Sequence, residues 1–184
     1  MTVLICTHNR ASQLDGALRS LESQSLPKDS FEVVVVDNAS TDATQEVFEG
    51  CAERRILNLR YVKEMELGLD AARNRGIREA RGEIVAFLDD DARARADWAE
   101  AILTGFAEHD APILGGKVSL IWEAERPGWF SDALLKYLIH CDYGERVVEV
   151  SAAPWLYGTN VAFRKSIFHE FSLFRLDLDA KGES

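Results

Sequence analysis

At 184 residues, 47% hydrophobic and 28% charged, the chain has the makeup of one folded domain with a substantial core. Its 21 Lys and Arg stand against 31 Asp and Glu, a formal charge of −10, which argues against a surface built to grip nucleic-acid phosphates. Cys6, Cys51 and Cys141 form neither a CxxC pair nor a zinc pattern, so reduced thiols in a cytoplasmic protein are expected, and no apolar run approaches the ~20 residues of a membrane span.

In chain order, "TVLICT" (2–7) reads as a short strand. In the next segment Leu14, Leu18 and Leu21 recur at helical spacing, and Pro27 follows its end. "FEVVVVD" (31–37) is a β-branched run suited to a strand covered on both faces. After the turn formers "NAST", Asp42 can cap a helix running to about Arg54, and "ILNLRYV" is a third strand. "GLDAARNRGIREARG" places Leu69, Ala72, Gly76, Ile77 and Ala80 on one helical face, with Gly82 as the stop. "EIVAFLD" is the fourth strand. A helix from Asp97, with Glu100 completing a capping-box variant, and a fifth strand in "APILGGKVSLIW" follow. The last third is less regular: a turn and a helix with Leu134, Leu138 and Ile139 on its apolar side, then a loop-like start and helical end in "AAPWLYGTNVAFRKSIFHEF".

Strands alternating with helices predict an α/β fold: a Rossmann-like sandwich whose mainly parallel sheet is flanked by helices on both faces. Right-handed crossovers put the C-terminal strand ends along one edge, where open α/β sheets bind ligands. Thr7–Arg10, Asp37 and the run Asp89, Asp90, Asp91 would all reach that edge. Three successive carboxylates suit a hard divalent cation, Mg²⁺ or Mn²⁺, which keeps open positions for substrate phosphates; the bland alternative is a solvated, helix-capping loop. Asp37 can accept hydrogen bonds from a base or a ribose, or act as a turn residue. Arg73 and Asn74 begin their helix near the same edge, where an arginine can meet phosphate, whereas Arg78 and Arg81 read as solvating residues.

Taken together, "ICTHNRASQLDGALRSLESQS", "EVVVVDNASTDAT", "GLDAARNRGIREARGEIVAFLDDDA" and "WLYGTNVAFRKSIF" resemble the family 2 inverting glycosyltransferases of GT-A fold, in matching order and spacing from about residue 2 onward. The resemblance implies transfer of a sugar from a nucleoside-diphosphate donor to a hydroxyl acceptor with inversion, dependent on Mn²⁺ or Mg²⁺. It places Thr7, Asn9 and Arg10 in the nucleotide pocket, Asp37 on the base and Ser40 close by. Arg73 and Asn74 fall beside the donor, Asp89 near the ribose and also at the metal, and Asp91 as the principal metal ligand. Asp90 would point away or serve structurally. Trp155, Gly158, Thr159, Asn160 and Arg164 would form the acceptor side. Residues 1–120 would then be the donor-binding half, and 121–184 a partial acceptor half of the same domain. The partners expected are a nucleoside-diphosphate sugar and a hydroxyl-bearing acceptor, saccharide or lipid-linked, and no nucleic acid. The location would be cytoplasmic, at most peripheral to the inner face of a membrane.

Two features depart from the pattern. His8 stands where the family more often has Tyr. Inverting transfer also needs a general base, in the family an Asp of a Glu–Asp pair downstream of a segment like "FRLDLDAKGES", and the sequence stops at Ser184 before such a pair. Asp177 and Asp179 match positions that precede the base. The expectation is therefore donor binding without efficient transfer, the alternative being a non-catalytic nucleotide-binding or interaction domain of the same fold. A nucleotidyltransferase reading is weak, since "CTHNRAS" lacks the Gly-rich basic loop that cradles a triphosphate. A receiver-type domain, with Lys117 as its lysine, leaves "GTN" unexplained.

Overall fold

A computed structural model describes residues 1–144, 146–150 and 156–178. Among these, six strands form one sheet in the order β3-β2-β1-β4-β6-β5. β1 (Thr2–Thr7), β2 (Glu32–Asp37), β3 (Leu59–Lys63) and β4 (Ile84–Leu88) are mutually parallel, as the βαβ pattern requires. β5 (Ile113–Gly115) and β6 (Asn160–Arg164) are antiparallel additions, with β6 inserted between β4 and β5.

The period-2 alternation of strand side chains divides the core into two layers. Val3, Ile5, Val33 and Val35 point to the face covered by α1 (Ala11–Glu22) and α2 (Thr44–Glu53), where they meet Leu14, Leu18, Leu21, Phe48 and Cys51. Leu4, Val34, Val36, Val85 and Phe87 point to the other face, against Ala72, Ile77 and Ala80 of α3 (Leu69–Glu79) and its continuation. All six residues of β2 are buried because both faces are covered. α4 (Trp98–Glu108) adds Phe106 against Ala86 and Ala162. Close approach matters at two glycines. A Cβ on Gly76 would lie 2.1 Å from Leu4 Cδ1, and one on Gly82 would lie 2.6 Å from the Thr2 backbone nitrogen.

Several expectations are revised. The fifth strand shrinks to three residues at a sheet edge. The segment 160–164, expected as part of a loop-and-helix stretch, is instead the interior strand β6, and the helix after it, α5, spans only Ile167–Glu170. The helix expected near 134 is a 3-10 segment, Asp132–Leu138, whose Leu138 and following Ile139 are exposed. Asp97 makes no cap hydrogen bond: its carboxylate takes Arg95, 3.1 Å away, and Glu100 accepts from Ser25 Oγ at 2.9 Å. Asp42 accepts from the backbone N–H groups of Thr44 (3.0 Å) and Ala11 (3.1 Å), tying the starts of α1 and α2 together.

Candidate active site

The register of β1 with β2 sets Thr7 opposite Asp37 at the C-terminal edge. β4 lies on the other side of β1 and delivers Asp89–Asp91 to the same edge. β4 ends at Leu88, and the acidic run forms a turn closed by the Ala92 N–H donating to the Asp89 carbonyl at 3.1 Å. Asp90 is turned in and 5% exposed, while the side chain of Asp91 is 57% exposed.

Arg10 closes the cluster. Its Nη1 donates to Asp90 Oδ1 at 3.2 Å and to Asp91 Oδ2 at 2.9 Å. The neighbouring Asp90 carboxylate raises the Arg10 pKa further. Burial pushes the pKa of Asp90 up despite Arg10, and that of Asp89 up despite Thr159, Arg73 and Arg10. The Thr7 hydroxyl, buried beside Asp90, lacks a well-formed hydrogen bond. Burial also lifts the adjacent Cys6 thiol to about 12.

Asp37 is 2% exposed. Its Oδ1 accepts from Ser40 N–H at 2.9 Å and its Oδ2 from the Tyr61 hydroxyl at 2.7 Å, a contact that raises the Tyr61 pKa after burial has done so. Asn9 has φ 53° and Ala39 φ 58°, so both edge loops carry a left-handed residue. Asn9 crosslinks those loops: its N–H donates to Ser40 Oγ, and its Oδ1 accepts from Thr41 N–H at 2.7 Å. His8 Nδ1 sits 2.6 Å from the Asn38 carbonyl, which assigns the proton to that nitrogen.

Arg73 pairs with Asp70 at 3.2 Å, and its guanidinium lies 5.5 Å and 5.9 Å from the rings of Phe174 and Phe87. Gly158 passes so close that a Cβ would lie 2.8 Å from Arg73 Nη2. Arg73, Phe87, Gly158 and Phe174, with Leu156 and Phe163, line a cavity of about 210 Å³. Asn74 is buried, and its amide is spent on Phe174, donating to the carbonyl at 2.8 Å and accepting from the N–H at 2.9 Å.

On the expected acceptor side, Thr159 lies against Asp89. Asn160 accepts from Trp98 Nε1 (2.9 Å) and donates to the Lys117 carbonyl (2.9 Å). Arg164 is a correction. β6 runs antiparallel to β4, with Asn160 opposite Leu88 and Arg164 opposite Ile84. Four strand steps, about 13 Å, therefore carry Arg164 to the far end of the sheet. There it donates to the carbonyls of Phe106 and Ala111. Trp155 and Asp179 lie outside the described residues.

Sequence reading missed Tyr61, Asn38 and Phe174. Asn38 donates to the carbonyls of Glu64 and Glu66 and accepts from Gly68 N–H at 2.8 Å, pinning the loop that starts α3. The "DN" pair at 37–38 was the available signal for Asn38; nothing local marks the other two.

The oxygen donors fit a hard cation only in part. Among the described residues no three acidic, histidine or cysteine side chains converge to hold a metal. Asp91, exposed and adjacent to Asp89, offers the one-or-two-carboxylate seat that Mg²⁺ or Mn²⁺ uses when ligand phosphates complete the shell.

With strand-end carboxylates gathered on one edge of a mixed α/β sheet, comparison with known proteins is decisive. The model for Glycosyl transferase family 2 matches residues 2–171. The chain belongs to this family. Among family 2 relatives, the glucosyl-dolichyl phosphate glucuronosyltransferase of Haloferax volcanii is 26% identical, the match covering 100% of this chain and 58% of that protein. TarS of Staphylococcus aureus in complex with UDP superposes with a TM-score of 0.77 at 26% identity, over 97% of this chain and 51% of that one. The mannosyltransferase PcManGT from Pyrobaculum calidifontis, in complex with GDP-Man and Mn²⁺, gives a TM-score of 0.74 at 30% identity, over 98% and 48%. The chain thus spans about half the length of these relatives. No helix among its described residues is long and apolar enough to cross a membrane.

Proposed function

We propose that this chain binds a nucleoside-diphosphate sugar at the C-terminal edge of β1, β2 and β4, for transfer of the sugar to a hydroxyl acceptor with inversion. The observation that carries the reading is the convergence of Asp37, Asp89–Asp91 and Arg10 from three strands on one edge. The relatives' complexes with UDP and with GDP-Man and Mn²⁺ support it.

Each group has a task that follows from its chemistry. The Asp37 carboxylate is held by Ser40 and Tyr61, from both of which it accepts, so it favours a base that presents an N–H donor. Arg10 and Arg73 supply guanidinium forks for a diphosphate. Asp89, partly buried, is placed for a ribose hydroxyl and, with Asp91, for a divalent cation. Bound there, Mn²⁺ or Mg²⁺ neutralises charge growing on the leaving diphosphate. Gly158, Thr159 and Asn160 border the side from which an acceptor approaches.

The general base is not assigned to Asp177. Its carboxylate takes two hydrogen bonds from Arg175, at 3.0 Å and 2.5 Å, and this pairing lowers its pKa, the wrong direction for a proton acceptor.

Calorimetric titration of UDP, GDP and TDP, each with Mn²⁺ and with EDTA, tests the proposal. The expected result is binding of one nucleotide that weakens at least about tenfold in EDTA and in Asp91→Ala. Failure of all three nucleotides to bind overturns the donor-site reading.

A further inference from the structure

The ion pairs of Arg10 raise a question that nucleotide binding alone does not answer. Asp90 and Asp91 are both paired with the one guanidinium, through a single nitrogen, Nη1, which offsets one of their two negative charges. Any cation seated on Asp91 must share that carboxylate with a guanidinium, and like charges at such range repel.

The rest of the arginine is available. Among the described residues Nε and Nη2 carry no hydrogen bond, leaving three of the five guanidinium donors for an anion. The backbone of Arg10 is fixed, since its carbonyl accepts Leu14 N–H at 3.0 Å at the start of α1, while its side chain is 50% exposed. The head group can therefore move without disturbing the helix. Thr7 Oγ1, buried beside the same carboxylate, favours the charged form of Asp90 independently of Arg10.

Resting on the donor-site reading above, we propose that Arg10 couples cation binding to nucleotide binding. Its guanidinium holds the carboxylates of the acidic run in the free chain and passes to the diphosphate when donor arrives. The cation site is thus suppressed until a nucleotide is present. By linkage, each ligand strengthens the other through the same residue. Arg10 thus acts on the cation site through Asp91 and on the diphosphate directly.

The test measures Mn²⁺ binding by the loss of the free-ion electron paramagnetic resonance signal. Wild type, Arg10→Met and Arg10→Lys are compared without nucleotide and then with UDP, GDP and TDP in turn. Without nucleotide, Arg10→Met should bind Mn²⁺ about tenfold more tightly than wild type, and its gain on adding nucleotide should shrink by a similar factor. Arg10→Lys keeps the charge and should stay within about threefold of wild type. A merely structural role would weaken Mn²⁺ binding in both variants. Unchanged or weaker nucleotide-free binding in Arg10→Met overturns the coupling, as does Lys behaving like Met. If wild type binds Mn²⁺ and nucleotide while these shifts are absent, only this inference falls. If it binds no nucleotide, the donor-site reading falls with it.

Discussion

Asn74 and Phe174, 100 positions apart, exchange two hydrogen bonds: the Asn74 amide donates to the Phe174 carbonyl at 2.8 Å and accepts from its N–H at 2.9 Å. That clamp fastens the segment after α5 to α3, and Phe174 in turn meets Phe87 and Phe163 edge to face and Phe168 at a tilt. Asn74→Ala strands two backbone groups and should cost about 1–3 kcal/mol, measured by urea denaturation. Asn74→Asp should be no better, because a carboxylate cannot donate to the Phe174 carbonyl. Wild-type stability in both would remove the clamp from the account.

Arg164 belongs to the opposite end of the sheet, where it caps the last turn of α4 through the Phe106 carbonyl and stacks 5.2 Å from the Phe106 ring. Arg164→Ala should lower the melting temperature by several degrees, the equivalent of about 1 kcal/mol, and leave nucleotide affinity within twofold. Loss of nucleotide binding at unchanged stability would return Arg164 to the ligand edge.

Gly76 tests packing against propensity. Alanine is worth about 1 kcal/mol more than glycine inside a helix, yet the new methyl would meet fully packed Leu4. Overpacking of a rigid core costs about 1–3 kcal/mol, so Gly76→Ala should destabilise on balance. A more stable Gly76→Ala variant would mean that α3 can lift from β1 without penalty.

Glu32 predicts a pH dependence. Burial raises its pKa, but hydrogen bonds from Thr2, the Arg81 N–H and Arg60 outweigh this and leave it lowered from 4.5. The native state then binds fewer protons than the unfolded chain. Its stabilisation is complete above the unfolded value near 4.5 and is lost as pH falls through the lower native value. In Glu32→Gln the fall in stability below pH 4.5 should be shallower, read from urea midpoints across pH. An unchanged acid limb would assign the effect to other carboxylates.

Local sequence carried the first four strands, and the acidic ends of β2 and β4 most clearly, because a continuous apolar run followed by Asp needs no distant partner to be recognised. Asp90 turning inward follows from the turn that begins after Leu88. Arg10 meeting Asp90 and Asp91 does not, since 80 residues separate the partners. β6 was hidden for a related reason. "NVAFR" is too short and too mixed to announce a strand, and its identity comes from the edges of β4 and β5 that it fills. The misplacement of Arg164 came directly from that: read as loop, it stays near Gly158; read as strand, it crosses the sheet. The bonds of Asn74 to Phe174 were equally out of reach, because that partner lies 100 positions down the chain.

The position of β6 also constrains the order in which the molecule can be assembled. Among the described residues β5 touches the sheet only through β6, so after residue 115 is made it has no strand there to pair with until residues 160–164 emerge. Throughout that interval the outer hydrogen-bonding row of β4 lies open, the kind of edge that recruits neighbouring chains. Closing it is a long-range step, expected to be slow relative to the local βαβ units. The strand nearest the acidic run is thus the last keystone set, and nascent chains are most exposed to aggregation just before it arrives.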